Sequence, residues 1–356
     1  MTERYDAHGG YAGWFVSAVG IIGILFGATM GLFVARFGAR RSVVIALGCG
    51  ALVAGVEALN PPAAVFLVCR ILEGASHLAL VVAIPTALPG LATAQRQAIV
   101  AALWGSFFTV AFMVGGFCGP WMTGAFGLSS WFAANGCLCA VLTGVAFFAM
   151  PKDVATEVGE GAASPHWIRA HTDIYRDPRT AGPAFCFVFY TMMFLALQTL
   201  TPALVPAESR AMFIVAMPAA GLIATLAAGA AVGRRYSPFG LAIVGFAAMA
   251  TTSVCLHLAV ASSFGALPAA MARMAAVSLL PGAIFPIIPL ICRTPELRAR
   301  AFGAVAQLGN VGSALGPPMF NASLSAFGPL GLLWPALSLC AAGAVVTRRV
   351  HAQVKR

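Results

Sequence analysis

Arg70, Glu73 and His77 interrupt an otherwise uncharged apolar run, 64–88, at positions i, i+3 and i+7. That spacing puts a guanidinium, a carboxyl and an imidazole on one face of a helix, where they can hold an anion or carry a proton. The plainer reading is that Arg70 and Glu73 neutralise each other as a packing pair, while His77, beside Ser76, is a hydrogen-bonded packing residue. A second arginine, Arg273, stands in the run 264–291, which contains no acidic residue. Its planar fork of donors suits carboxylates and other oxyanions. It could also snorkel to an interface, since it lies about nine residues, roughly 13 Å, from one end of the run. Tyr190 and Gln198, with Phe194 between them on nearly the same face, are candidate hydrogen-bonding partners for a solute. Glu57 and His257 lie near run ends and are expected at an interface; Gln307 and Asn310 are expected as polar glue between helices.

The composition says which solvent surrounds the elements that hold these residues. Of 356 residues 60% are apolar and 9% charged, whereas a soluble domain carries about 25% charged residues and could not cover itself with so few. The solvent is therefore a bilayer, where charge costs about 2.5–3.5 kcal/mol at a helix centre. Arg70, Glu73 and Arg273 must face the bundle interior. Eleven runs are long enough to cross: 11–34, 42–59, 64–88, 98–123, 130–150, 181–204, 211–232, 239–259, 264–291, 300–322 and 328–346. Too long and unalternating for barrel strands, they must satisfy their backbones internally, which predicts an all-α polytopic membrane protein. The first run lacks an A-x-A cleavage signal and is expected to be a span.

Charge between the runs predicts orientation. Seventeen of the 21 basic residues fall in alternate gaps, from Arg36, Arg40 and Arg41 through Lys152, Arg234 and Arg298 to Lys355 and Arg356; the other gaps hold Arg210 alone. The positive-inside rule then places the first set, with the C-terminus, in the cytoplasm, and the membrane is expected to be a bacterial inner membrane. Trp14, Trp121, Trp131 and Trp334 fall at the outer ends of their runs, where indoles suit the interface. The formal charge of +10 does not suggest nucleic acid, because the arginines and lysines are scattered and form no stripe. The nine cysteines read as small buried hydrophobes with no paired CxxC units, so no metal or disulfide framework is expected. The polar stretch Pro151–Arg179 holds five of the eleven acidic residues and reads as a linker. The expected organisation is a five-span bundle over 1–150, the linker over 151–179 and a six-span bundle over 180–356.

The segment Gly31-Leu-Phe-Val-Ala-Arg36-Phe-Gly38-Ala-Arg40-Arg41 resembles the G-x-x-x-D-R-x-G-R-R loop of the major facilitator superfamily, with Ala35 where the family has its acid. Arg70-Ile-Leu-Glu73-Gly74 is similar to the family's R-x-x-x-G element, and Gly115 to Gly119-Pro120 to its G-x-x-x-G-P element. Gly233-Arg234-Arg235 and Gly312 to Gly316-Pro317 stand at the equivalent places in the second half. The resemblance covers nearly the whole chain. It implies a two-bundle fold and alternating access, with Gly31, Arg36, Gly38, Arg40 and Arg41 in a gating loop. It also implies that the eleven spans match family helices 2 to 12, the first being absent. It further implies that Arg70 and Arg273, one from each half, line the transport path.

Glycines at 23, 27 and 31 recur every fourth residue, as small residues do where helices approach closely. Gly115, Gly119 with Pro120, Gly312, Gly316 with Pro317, and the series Pro281, Pro286 and Pro289 are expected to bend their helices. An enzyme is not expected, since G-x-S-x-G and H-E-x-x-H are missing; nor is ATP, since there is no G-x-x-x-x-G-K-[ST]. No cofactor is implied. The expected function is secondary transport of a small anionic solute, coupled to protons through Glu73, by a monomer whose other partner is lipid. The alternatives are drug or metabolite efflux by the same fold, or a transport-inactive truncated membrane protein.

Overall fold

The computed structural model describes residues 11–93, 96–153, 167–205, 207–234, 236–261 and 265–355, and among these every regular element is helical. In chain order they are α1 Tyr11–Phe37, α2 Ala39–Ala58, α3 Ala63–Ala87, α4 Gln97–Gly105, α5 Phe107–Phe126, α6 Leu128–Ala149 and α7 Trp167–Arg176. Then come α8 Pro178–Leu200, α9 Arg210–Arg234, α10 Pro238–Ala261, α11 Ala266–Ile284, α12 Ile287–Ile291, α13 Pro295–Phe327 and α14 Leu330–Val354. Ten stretches of the described residues are long and apolar enough to cross a bilayer, with α4–α5 and α11–α12 each counted once. The eleventh expected run, 300–322, is helical within the 33 residues of α13 but is not among the ten. Gln307, Asn310 and Ser313 dilute its apolar character.

Local chemistry sets the helix ends. Gly38, Gly127, Gly265 and Gly328 take positive φ where the chain reverses, and Asn60 does so at φ 53, ahead of Pro61-Pro62. Asparagine tolerates that region better than most residues with a side chain. Asp177 caps α8 by accepting from the Arg179 N–H at 2.9 Å, with Pro178 at the first helical position, where a missing donor costs nothing. The run 98–123 proves to be two helices parted at Ser106, and 264–291 breaks around Phe285 and Pro286. Helices α5 and α13 continue through Pro120 and Pro317-Pro318. The linker contains a helix not read from the sequence, α7, which buries Ile174.

The chain divides into two compact units. The first takes the described residues of Met1–Ala87, Cys118–Arg176 and Thr294–Asn310; the second takes Leu88–Phe117, Asp177–Arg293 and Val311–Arg356. In the first unit α3 packs on α1 and α2, and α2 on α6. Phe15, Phe66 and Phe132 form an aromatic knot there, edge to face at 5.1 and 5.6 Å. Gly27 and Gly31 let α1 lie against the start of α13: a Cβ would stand 2.6 Å from the Gln307 Cα and 2.5 Å from the Ala299 carbonyl oxygen. In the second unit α11 packs on α8, α9 and α10, while α14 packs on α8 and α10. Trp121 and Trp334 are exposed, as suits residues in contact with lipid; the Trp14 side chain lies outside the described residues.

Candidate functional site

In the first unit the Arg70 guanidinium is shared among three oxygen sources. Its Nη1 reaches the Glu73 carboxylate and stands 3.6 Å from Glu57 Oε1, and its Nε donates to the Phe15 carbonyl at 3.1 Å. Side-chain exposure falls from 28% at Glu73 through 15% at Arg70 to 0% at Glu57. The i, i+3 pairing read from sequence is present. The interfacial expectation for Glu57 is corrected: it sits one residue from the end of α2, yet that face turns onto α3, so proximity to a helix end did not expose it. His77 is exposed on α3, whereas its neighbour Ser76 is buried and donates to the Ala46 carbonyl at 2.7 Å.

The segment Gly31 to Arg41 is built around an acid that its own motif lacks. Asp153 accepts from the backbone N–H groups of Arg40 and Arg41 at 2.9 and 3.0 Å, capping the start of α2 from 113 and 112 residues away. A carboxylate there meets both unsatisfied amides and the positive end of the helix dipole. Gly38, at φ 90, makes room, since a Cβ would stand 2.2 Å from the Asp153 Cγ. The Arg40 side chain donates to the Phe147 carbonyl and lies over the Phe147 ring, 5.1 Å from its centroid. Arg36 and Arg41 are exposed. Gly31 lies against α13, so the glycine that opens the motif serves helix packing.

Farther along the first unit, the interhelical-glue expectation for Gln307 takes definite form. Its Nε2 donates to the Ile24 carbonyl at 2.6 Å, and its Oε1 accepts from the Tyr175 hydroxyl at 2.6 Å. Burial pushes the Tyr175 phenol up to about 12, so it remains a donor at any physiological pH.

The second unit holds the remaining candidates. Tyr190 is fully buried in an aromatic row with Phe187 and Phe194, ring centroids 5.1 and 5.3 Å away. Its hydroxyl lies beside that of Thr109, and both residues, like Ser278, are buried. Gly221 lies among them, its Cβ position 2.6 Å from the Ser278 Oγ and 3.3 Å from the Thr109 Cγ2. Sequence reasoning missed Thr109 and Ser278; small hydroxyls in apolar runs carry no distinguishing pattern. Gln198 donates to the Ile214 carbonyl at 3.3 Å and lines a cleft of about 400 Å³ with Ala111, Phe112, Gly115 and Gly116.

Arg273 is buried, 3% exposed, and donates from Nη2 to the Leu332 carbonyl at 3.3 Å. The guanidinium thus meets the backbone two residues past Leu330, the start of α14. Among the described residues its Nε and the His257 Nδ1 have no hydrogen-bond partner, and both residues line a small cavity with Ser253 and Leu332. His257, expected at an interface, is therefore a neighbour of Arg273. The two G-x-x-x-G-P elements do different work. Gly312 and Gly316 lie against α8, with Cβ positions 2.7 Å from the Val188 carbonyl oxygen and 2.2 Å from that of Met192, whereas Gly115 and Gly119 face open space.

A search of curated proteins finds no match. Solved structures do match in fold: the E. coli fucose:proton symporter FucP at TM-score 0.73 and 15% identity, covering 96% of this chain and 90% of that one. A FucP structure in the outward conformation gives 0.69 and 16%, covering 95% and 89%. The proton:xylose symporter XylE bound to 6-bromo-6-deoxy-D-glucose gives 0.72 and 15%, covering 96% and 86%. A sequence model described as Major Facilitator Superfamily matches residues 1–347. With its polytopic helices and ordered motifs, the chain belongs to the Major Facilitator Superfamily of membrane transporters.

Proposed function

We propose that this secondary transporter moves a small anionic solute by alternating access, coupled to protons. The observation that carries the anion is Arg273, a buried guanidinium with no acidic residue in its own helix and an Nε without a partner. Such a group is costly unless a counter-charge visits it, and its geometry matches planar oxyanions. Proton coupling is supported by the acidic cluster around Arg70 and by the activities of the fold relatives, fucose:proton and proton:xylose symport. Gln198 and Tyr190 supply polar contacts to the solute, and His77 takes part in coupling. The gating loop Gly31 to Arg41 and the glycine–proline elements serve the conformational change between bundles 1–150 and 180–356, joined by the linker 151–179. The transporter works as a monomer in a bacterial inner membrane with the basic loops and C-terminus in the cytoplasm. The mostly apolar cleft beside Gln198 favours a second reading, efflux of an apolar drug or metabolite.

The test is solute-driven proton movement in proteoliposomes containing a pH-sensitive dye. External nitrate or cyanate is expected to acidify the lumen. Removing a charge-assisted contact worth about 1.5–3 kcal/mol should weaken the apparent affinity about 10- to 100-fold in Arg273→Ala, with Lys355→Ala unchanged. Movement of a lipophilic cation dye without any anion response would favour efflux. Acidification by fucose or xylose, with the anions inert, would overturn the anionic reading.

A further inference from the structure

We propose that Glu57 is a proton-binding site, occupied by a proton in the state described here, and that Arg70 changes partner when the proton leaves. Charge must balance around a fully buried carboxylate. Glu57 is 0% exposed, and among the described residues its one cationic contact is the Arg70 Nη1, 3.6 Å from its Oε1. Arg70 is committed elsewhere, to Glu73 through Nη1 and to the Phe15 carbonyl through Nε, leaving Glu57 the more distant partner at 3.6 Å. One guanidinium and two ionised carboxylates would leave a net negative charge at a fully buried Glu57, which several kcal/mol of desolvation opposes. With a proton on Glu57 the cluster is neutral.

Among the described residues, the ionisable groups around Glu57 are Arg70, Glu73 and the Cys69 thiol, all on α3, with the Cys139 thiol of α6 near Glu73. None can neutralise a second carboxylate. The aromatic knot of Phe15, Phe66 and Phe132 packs against Ala58, the residue after Glu57, and closes the pocket on that side. Exposure increases from Glu57 through Arg70 to Glu73, so a proton leaving Glu57 passes Glu73. Loss of the proton turns the carboxylic acid into a carboxylate; the proton goes to water, and Arg70 must then be shared between two anions. An acid–base step at Glu57 thereby repositions a guanidinium held by α1 through the Phe15 carbonyl. From its spacing alone Glu73 is expected to carry the coupling. The accessible member of the pair is the better gate, and the buried member the better store.

The consequence for transport rests on the proton-coupled reading above, but the protonation itself does not. Infrared spectroscopy of the purified full chain in lipid, compared across pH, reads it directly. A protonated-carboxyl carbonyl band is expected at neutral pH in the natural chain, lost in Glu57→Gln and retained in Glu73→Gln. A band that survives Glu57→Gln, or that is missing from the natural chain, overturns the proposal. Thermal unfolding gives a second readout. The amide mimics the neutral acid, so Glu57→Gln should melt within a few degrees of the natural chain at neutral pH. A Glu57→Gln chain that fails to fold while Glu57→Asp folds would mean that Arg70 needs the negative charge, and would also overturn it. Neither measurement uses a solute, so a protein that moves no anion can still pass, and one that moves anions can still fail.

Discussion

Asp153 stands where no motif would look for it. The family's loop carries an acid where this chain has Ala35, and 115 residues beyond Gly38 a carboxylate returns to the same helix start and binds two of its amides. Gly38 is tied to this arrangement twice, by its positive φ and by the carboxylate that occupies its Cβ position. Gly38→Ala should therefore cost more than the roughly 1–2 kcal/mol of the backbone term alone. Asp153→Ala, which leaves the two amides to water, should cost about 1–2 kcal/mol. Melting curves of the two single variants and the double variant would check both values and their coupling. Additive losses would show that the glycine and the carboxylate do not act together.

Helix α13 shows how one element serves two kinds of contact. Its first part presents Ala299, Gln307 and Asn310 to the glycines of α1, and its later part presents Gly312 and Gly316 to α8. Small residues let backbones approach, and a hydrogen-bonding side chain such as Gln307 fixes the register. The same polar and small residues make this helix less apolar than its neighbours. Similar motifs are not equivalent, however. Gly316→Ala would place a methyl group 2.2 Å from the Met192 carbonyl oxygen and should destabilise by about 1–3 kcal/mol, whereas Gly115→Ala meets open space and should be neutral or slightly stabilising. Comparing the melting temperatures of the two variants in one detergent separates them; equal losses would refute the distinction between packed and open glycines.

At the scale of the whole molecule, the distribution of charge is the observation with most reach. Basic residues crowd alternate gaps, a bias that orients membrane proteins. Single cysteines placed at position 355 and at position 60, in a chain freed of its nine natural cysteines, should react with an impermeant thiol reagent from opposite faces of sealed vesicles. Labelling of both from one face would overturn the proposed topology.

Much of this protein is legible in its sequence. Run length and charge alternation gave a polytopic helical protein, and the order of the Gly31, Arg70, Gly115 and Gly312 motifs pointed to its family. The interval between Arg70 and Glu73 offered their pairing as one of two readings. What the sequence could not show was which face of each helix is covered. Helices apolar on every side carry almost no amphipathic signal, so burial is decided by the neighbour that happens to lie against them. Glu57 looked interfacial because it is near a helix end, and only the packing of α2 on α3 buries it beside Arg70. Asp153 looked like one acid among five in a polar linker, until the return of the chain set it on the amides of Arg40 and Arg41. Local periodicity fixes which segments enter the membrane, but contacts between residues far apart in the chain fix which charges meet there, because desolvation and pairing depend on what surrounds a group and not on its place in the chain.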